Sequence, residues 1–340
     1  MNPVKLSLAA AALCAGLTAS AEPYKIITPM SEDDEGAMAR LVNFDNGATI
    51  DSVLIADKVA VFEGQIDEPI LARVLVDGQR LPVFILESGT ISFNDKEGAF
   101  GTMLNDELRA IGSKMRGYNA SFRNAETDEQ RDAIRAAADA ALDSLTQANR
   151  DNALGFYLFL QGDASYLDAP ELRAELAKYP HFATYDRAQK MLKAAESREA
   201  TQVGGKFVDF AITQPDGTVK KLSDYVGKGK YTLVDFWASW CGPCIRQTAV
   251  LKDIYNKYKN DGRLDVLGVA VWDKVDDTVN AIKQHELPWE CILDAQSVPT
   301  DLYGIMGIPC IILFGPDGTI LSRDKQDDDL KADVDAALAK

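Results

Sequence analysis

The stretch that most restricts the fold is "YTLVDFWASWCGPC", residues 231–244. An apolar, partly aromatic run reads as a buried strand. Three residues later comes Cys241-Gly242-Pro243-Cys244, and a helical pattern then continues to about residue 259 and stops near Gly262. A strand feeding a helix through so short a turn puts Cys241 at the helix N-terminus. There the partial positive charge and free N–H groups favour a thiolate, lowering its pKa from about 8.5 toward 7 or below. Pro243 falls near the first helical turn, where its missing N–H costs nothing. Asp235, six residues before Cys241, is a carboxyl in an otherwise apolar strand. Burial would raise its pKa and let it take the proton of Cys244 when that thiol attacks. The blander reading is a hydrogen-bonded structural acid.

Two cysteines at this spacing fit a structural staple, half a zinc site or a working redox couple. Zinc needs a second ligand pair. Cys291 and Cys310 have no two-residue partners, and the two histidines, His181 and His285, stand at unrelated spacings. A permanent staple explains neither the Trp-Cys-Gly-Pro turn at a strand–helix junction nor the acid behind it. The pair therefore reads as a redox couple, with no metal and no cofactor expected. Cys291 and Cys310 read as small buried side chains, and their spacing leaves a bond between them undecided.

The N-terminus bears on the redox compartment. "MNPVKLSLAAAALCAGLTASA" has one charge, Lys5, an apolar run, and Ala19-Ser20-Ala21 in the pattern of a signal-peptidase site. The run is too short for a membrane span. A signal peptide over 1–21 and an exported, periplasmic protein are expected. The competing reading is a lipid anchor through Cys14, against which Leu13 stands where a small residue belongs. The remaining four cysteines lie in the last third of the chain, which argues against a general disulfide framework. The net charge of −16 repels phosphate backbones, so no nucleic-acid partner is expected.

Residues 22–102 read as a β-rich domain, with Val/Ile/Phe runs in "KVAVFEGQI", "ILARVLVDGQRLPVFIL" and "GTISF". Residues 103–200 read as a helical segment. Thr127 and Gln130 make a capping-box pattern, after which Ile134, Ala138, Ala141 and Leu145 share one face. "NALGFYLFLQG" reads as a buried helix rather than a ligand groove. Another helix starts at Pro170 and stops before Pro180, and a third, over 182–197, groups Tyr185, Ala188 and Leu192. "QVGGK", 202–206, reads as a linker. Beyond it, over 201–340, strands and helices alternate around two Pro-Asp-Gly turns, which implies an α/β domain with a central mixed sheet flanked by helices.

"VDFWASWCGPC" resembles the active-site segment of thioredoxin, and "GIPCIILFGPDG" resembles the segment that holds that family's cis-proline. The resemblance implies that Cys241 is the nucleophile, Cys244 the resolving thiol and Asp235 the buried base. It makes Pro309 the cis-proline packed against the disulfide. Trp240, Gly242, Pro243 and Ile308 then become substrate-contacting residues. A helix–strand segment over about 276–293 resembles the exported TlpA/ResA branch. "FILESGTISF" and "GTMLNDEL" resemble the β-rich domain of unknown function that precedes such modules in Bacteroidetes-type proteins. The implied activity is thiol–disulfide exchange, in the reducing direction, since thioredoxin's potential of about −270 mV is reducing. Implied partners are disulfide-containing exported proteins or apocytochromes, and a membrane thiol as electron donor. Two departures stand out: "CIRQTAV" lacks the Glu-x-Pro of many relatives, and Cys310 replaces a threonine. Two other readings remain. A thiol peroxidase would need a Pro-x-x-x-Thr-x-x-Cys context that "DFWASWC" lacks. A partner-binding module would make the redox pair secondary.

Overall fold

The computed structural model describes residues 21–77, 79–94, 98–165 and 167–339. The leader expected over 1–21 therefore lies, apart from Ala21, outside the described residues. The chain divides into two compact units between Gly162 and Asp163.

The first unit begins with nine strands: β1 (Glu22–Pro29), β2 (Met38–Asn43), β3 (Thr49–Leu54), β4 (Val59–Ile66), β5 (Ile70–Val76), β6 (Gln79–Arg80), β7 (Phe84–Leu86), β8 (Gly89–Asn94) and β9 (Gly98–Phe100). They form two sheets, ordered β4-β1-β8-β9 and β3-β2-β5-β6, with β7 also on β5. Alternating apolar residues give each sheet one buried face. Ile26, Phe62 and Ile91 of one sheet meet Leu41, Val74 and Phe84 of the other in a shared core.

Helices α1 (Met103–Asn124), α2 (Asp128–Ala148) and α3 (Ala153–Gln161) come next. The start of α1 is fastened to the strands by side chains. Buried Glu87 accepts from the Leu104 and Asn105 amides at 2.9 and 3.1 Å, offering a carboxylate to a helix N-terminus. Asn105 bonds both backbone groups of Ile85, as a neighbouring strand would. The Thr127–Gln130 capping box opens α2. The four residues expected on its inner face are all half-buried. Six of the nine residues of α3 are buried, in keeping with an almost wholly apolar helix.

The second unit holds α4 (Ala169–Lys178), α5 (Asp186–Ala200), β10 (Ala211–Thr213), β11 (Val219–Lys221), β12 (Tyr231–Trp237), α6 (Gly242–Tyr258), β13 (Leu264–Ala270), α7 (Val275–Gln284), β14 (Glu290–Ile292), α8 (Val298–Tyr303), β15 (Cys310–Phe314), β16 (Ile320–Arg323) and α9 (Asp327–Leu338). Strands β10 and β11 make a hairpin, and the central sheet runs β14-β13-β12-β15-β16. Strands β12, β13 and β14 are parallel, whereas β15 and β16 pair antiparallel. Alternation along β12 splits the core. Val234 and Phe236 face a cluster with Tyr303 and Phe314, while Leu233 and Trp237 face clusters that include Leu251 and Cys244 of α6. Asp235 shares the α6 face.

Two features of this unit differ from the sequence reading. "QVGGK" is not a free tether. Gly204 donates to Ile320 O and Gly205 accepts from Ile320 N, both at 2.8 Å, so the glycines lie along the open edge of β16. The helical segment is also divided, with α4 and α5 grouped in the unit of the central sheet. Arg323 explains the attachment: its guanidinium donates to Thr201 O at 3.0 Å and Tyr303 O at 2.6 Å. Gly304, at φ +60°, brings the backbone so close to α5 that a Cβ there would sit 2.0 Å from Ala194 O. In α5 the buried face is Ala188, Met191 and Ala195, with Leu192 only half-buried.

Candidate active site

The site forms where β12 ends and α6 begins. Cys241 is the N-cap of α6, Gly242 and Pro243 open the helix, and Cys244 lies in its first turn. The two cysteines form a disulfide, with sulfurs 2.04 Å apart and Cα atoms 5.2 Å apart. The Cys244 amide donates to Cys241 Sγ at 3.1 Å. A capping oxygen usually fills that role; here a sulfur receives the helix's free N–H. Cys241 retains 4% exposure and Cys244 none, so an approaching partner meets Cys241 first.

Residues far along the chain complete the site. Ile308 O lies 3.7 Å from Cys241 Sγ, and the Ile308–Pro309 peptide bond is cis. Trp240 is 61% exposed, yet its indole N–H donates to Trp272 O at 3.0 Å. The geometry thus gathers Trp240, Cys241, Gly242, Pro243, Cys244 and Ile308 at one end of the central sheet.

Asp235 is 2% exposed, and its Oδ1 has no hydrogen-bond partner among the described residues. Burial pushes its pKa up to about 7. It stands in a row across the sheet, with Ile311 on one side and Gly268 on the other, and Cys291 beyond Gly268. A Cβ on Gly268 would lie 3.1 Å from both Cys291 Sγ and Trp237 Nε1. The missing side chain therefore lets the thiol and the indole converge beside the acid. Burial also pushes the Cys291 thiol up to about 12. Cys310 pairs with Phe236 and so occupies the opposite face of the sheet. Its thiol donates to Asp324 Oδ1 at 3.0 Å, and burial raises its pKa well above the ordinary value. Both thiols are free, and the sheet stands between them. Among the described residues no group of three or more His, Cys, Asp or Glu side chains could hold a metal ion.

One residue at the site was not anticipated. Asp273, just beyond β13, accepts from the Ser239 amide at 2.6 Å and the Ser239 hydroxyl at 2.9 Å. In sequence it reads only as an acid ahead of α7; nothing local signals a bond to a residue 34 positions earlier.

Residues 203–323 match the AhpC/TSA family model, and residues 24–116 match the model of a domain of unknown function, DUF4369. The chain is 28% identical over 128 residues to the thiol-disulfide oxidoreductase ResA of Bacillus thuringiensis subsp. konkukian, spanning 37% of this chain and 72% of that protein. It is 36% identical over 107 residues to the thiol:disulfide interchange protein CycY of Rhizobium leguminosarum bv. viciae, spanning 31% of this chain and 55% of the other. Among solved structures it is similar to the thioredoxin domain of a thiol-disulfide oxidoreductase from Bacteroides vulgatus, at 30% identity and a TM-score of 0.36, covering 40% of this chain and 96% of that one.

Proposed function

From the premise that the C-terminal part of this chain is a thioredoxin-like AhpC/TSA domain, that of a thiol–disulfide oxidoreductase, we propose that it reduces disulfides of exported proteins outside the cytoplasm. One observation carries the chemistry: a disulfide whose outer sulfur, Cys241 Sγ, sits at the N-cap of α6 and takes the Cys244 N–H. In the reduced protein that donor and the helix end favour a Cys241 thiolate. The thiolate attacks a client disulfide, forming a Cys241–client bond and releasing the client's other sulfur as thiolate. Cys244 then gives its proton to Asp235 and attacks Cys241 Sγ, closing the disulfide and releasing the second client sulfur. A raised pKa near 7 suits a base that must take and return a proton at neutral pH.

Trp240 and the backbone of Ile308 flank the sulfur and serve as the client's resting surface, with Gly242 and Pro243 beside it. Pro309 fixes the direction of Ile308. Each turnover leaves the pair oxidised, so two electrons must come from a donor dithiol that becomes a disulfide in turn, which we assign to a membrane protein. Clients are exported proteins with oxidised cysteines, apocytochromes among them. Export rests on the leader pattern over 1–21. The test is turnover of a protein disulfide and of hydrogen peroxide by the reduced chain. Disulfide reduction that greatly outpaces peroxide consumption supports the proposal; the reverse would assign a peroxidase.

A further inference from the structure

We propose that Asp273 is a positioning residue for thiol–disulfide exchange, holding Ser239 and Trp240 so that Cys241 meets the start of α6 in one fixed geometry. The inference rests on the proposed exchange function. The Asp273 carboxylate is almost wholly buried and accepts four hydrogen bonds. Oδ2 takes the Ser239 amide at 2.6 Å and the Thr278 hydroxyl at 2.9 Å. Oδ1 takes the Ser239 hydroxyl and the Lys274 amide, each at 2.9 Å. Burying a carboxylate is costly unless hydrogen bonds replace the water it loses. Here two donors belong to the redox turn and two to the start of α7, so its satisfaction ties the two elements together. Fastening the start of α7 alone would need only Lys274 and Thr278.

The neighbouring backbone points the same way. Trp272 has φ +53°, a conformation that bulky side chains rarely adopt. Strain of this kind persists where surrounding contacts enforce it. Those contacts are on both sides: Val271 N donates to Trp237 O at 2.9 Å, and Gln296 Nε2 donates to Asp273 O at 2.8 Å. The result aims Trp272 O at the Trp240 indole and the Asp273 carboxylate at Ser239. An exposed ring with an anchored N–H presents one face to a client. Cys241 N in turn bonds to Ala238 O at 3.1 Å, so the position of the sulfur depends on how residues 238–240 are held. If Ser239 came loose, the Cys244 N–H would no longer meet Cys241 Sγ squarely, and the thiolate would lose its donor.

The test uses the full chain with Asp273→Asn, Ser239→Ala and Ser239→Thr. Asp273→Asn replaces an acceptor with a donor facing Ser239 or Lys274, while Ser239→Thr keeps the hydroxyl. Iodoacetamide alkylation of reduced Cys241 is followed against pH, beside kcat/KM for a protein disulfide and thermal unfolding. For Asp273→Asn the alkylation midpoint is expected to rise by about half a pH unit or more, and kcat/KM to fall about tenfold. Ser239→Ala moves both the same way by less, and Ser239→Thr stays near the parent. Lowered unfolding temperatures with unchanged alkylation and kcat/KM would overturn the proposal and leave Asp273 as an anchor for the start of α7. If Asp273→Asn does not fold, the Ser239 pair decides: an alanine variant indistinguishable from the parent overturns it. The alkylation profile can be read without turnover, so a parent chain inactive on disulfides would contradict the proposed function and not this inference.

Discussion

At pH values where an exposed aspartate is fully ionised, Asp235 still holds its proton, because burial leaves its charge without solvent or a hydrogen-bond partner at Oδ1. The group titrates near 7 in the folded chain and near 3.9 when unfolded. Below about pH 4 both states are protonated, and the acid has no effect on stability. Between 4 and 7 the unfolded chain releases a proton that the folded chain keeps, so stability falls as pH rises. Above 7 the penalty is complete, on the order of 4 kcal/mol. Asp235→Asn removes this pH-dependent part. Denaturant unfolding of the oxidised protein should therefore show the variant gaining on the parent from pH 4 to 8, by a few kcal/mol overall. Burying an amide adds a constant offset of about 1–3 kcal/mol that does not change the slope. A difference that stays level across that range would mean that another group carries the titration. The variant should also slow the attack of Cys244 on a mixed disulfide, most visibly near neutral pH, as the loss of a general base requires.

Elements whose ends are marked locally were legible in the sequence. The capping box of α2, the Pro170 start of α4 and the strand–turn–helix of β12 and α6 each depend on neighbours a few residues apart. The cysteine pair and the acid ahead of it were legible because they sit in one short distinctive motif, whereas Ile308 and Pro309 could be picked out only through their segment's resemblance to thioredoxin. The features that could not be read depend on long-range approach. Nothing around "QVGGK" says that a strand edge 115 residues on, at Ile320, will take its backbone bonds, and nothing around Asp273 says that it will hold Ser239. The attachment of α5 to α8 is of this kind, and it makes a sharp prediction. A methyl at Gly304 meets Ala194 O at 2.0 Å and needs a left-handed backbone. Gly304→Ala should lower stability by about 2–4 kcal/mol. Gly307→Ala, with nothing within 4 Å of its Cβ, should stay within about 0.5 kcal/mol. Equal effects in thermal or urea unfolding would show that α5 and α8 do not approach as described.

On the scale of the whole molecule, α4 and α5 belong to the same compact unit as the redox site. A fragment of residues 163–340 is therefore expected to unfold in one cooperative transition. One starting at residue 201 strips α5 from the end of α8 and should melt several degrees lower; equal midpoints would make the two helices dispensable. The central claim is that Cys241 attacks and Cys244 resolves, and trapping the intermediate tests it most directly. The full chain carrying Cys244→Ser, reduced and mixed with a disulfide-containing protein, should accumulate a covalent adduct through Cys241 that added thiol releases. Cys241→Ser should accumulate none. An adduct through Cys244 in the Cys241→Ser chain, with no adduct on Cys241 in the other, would contradict the account.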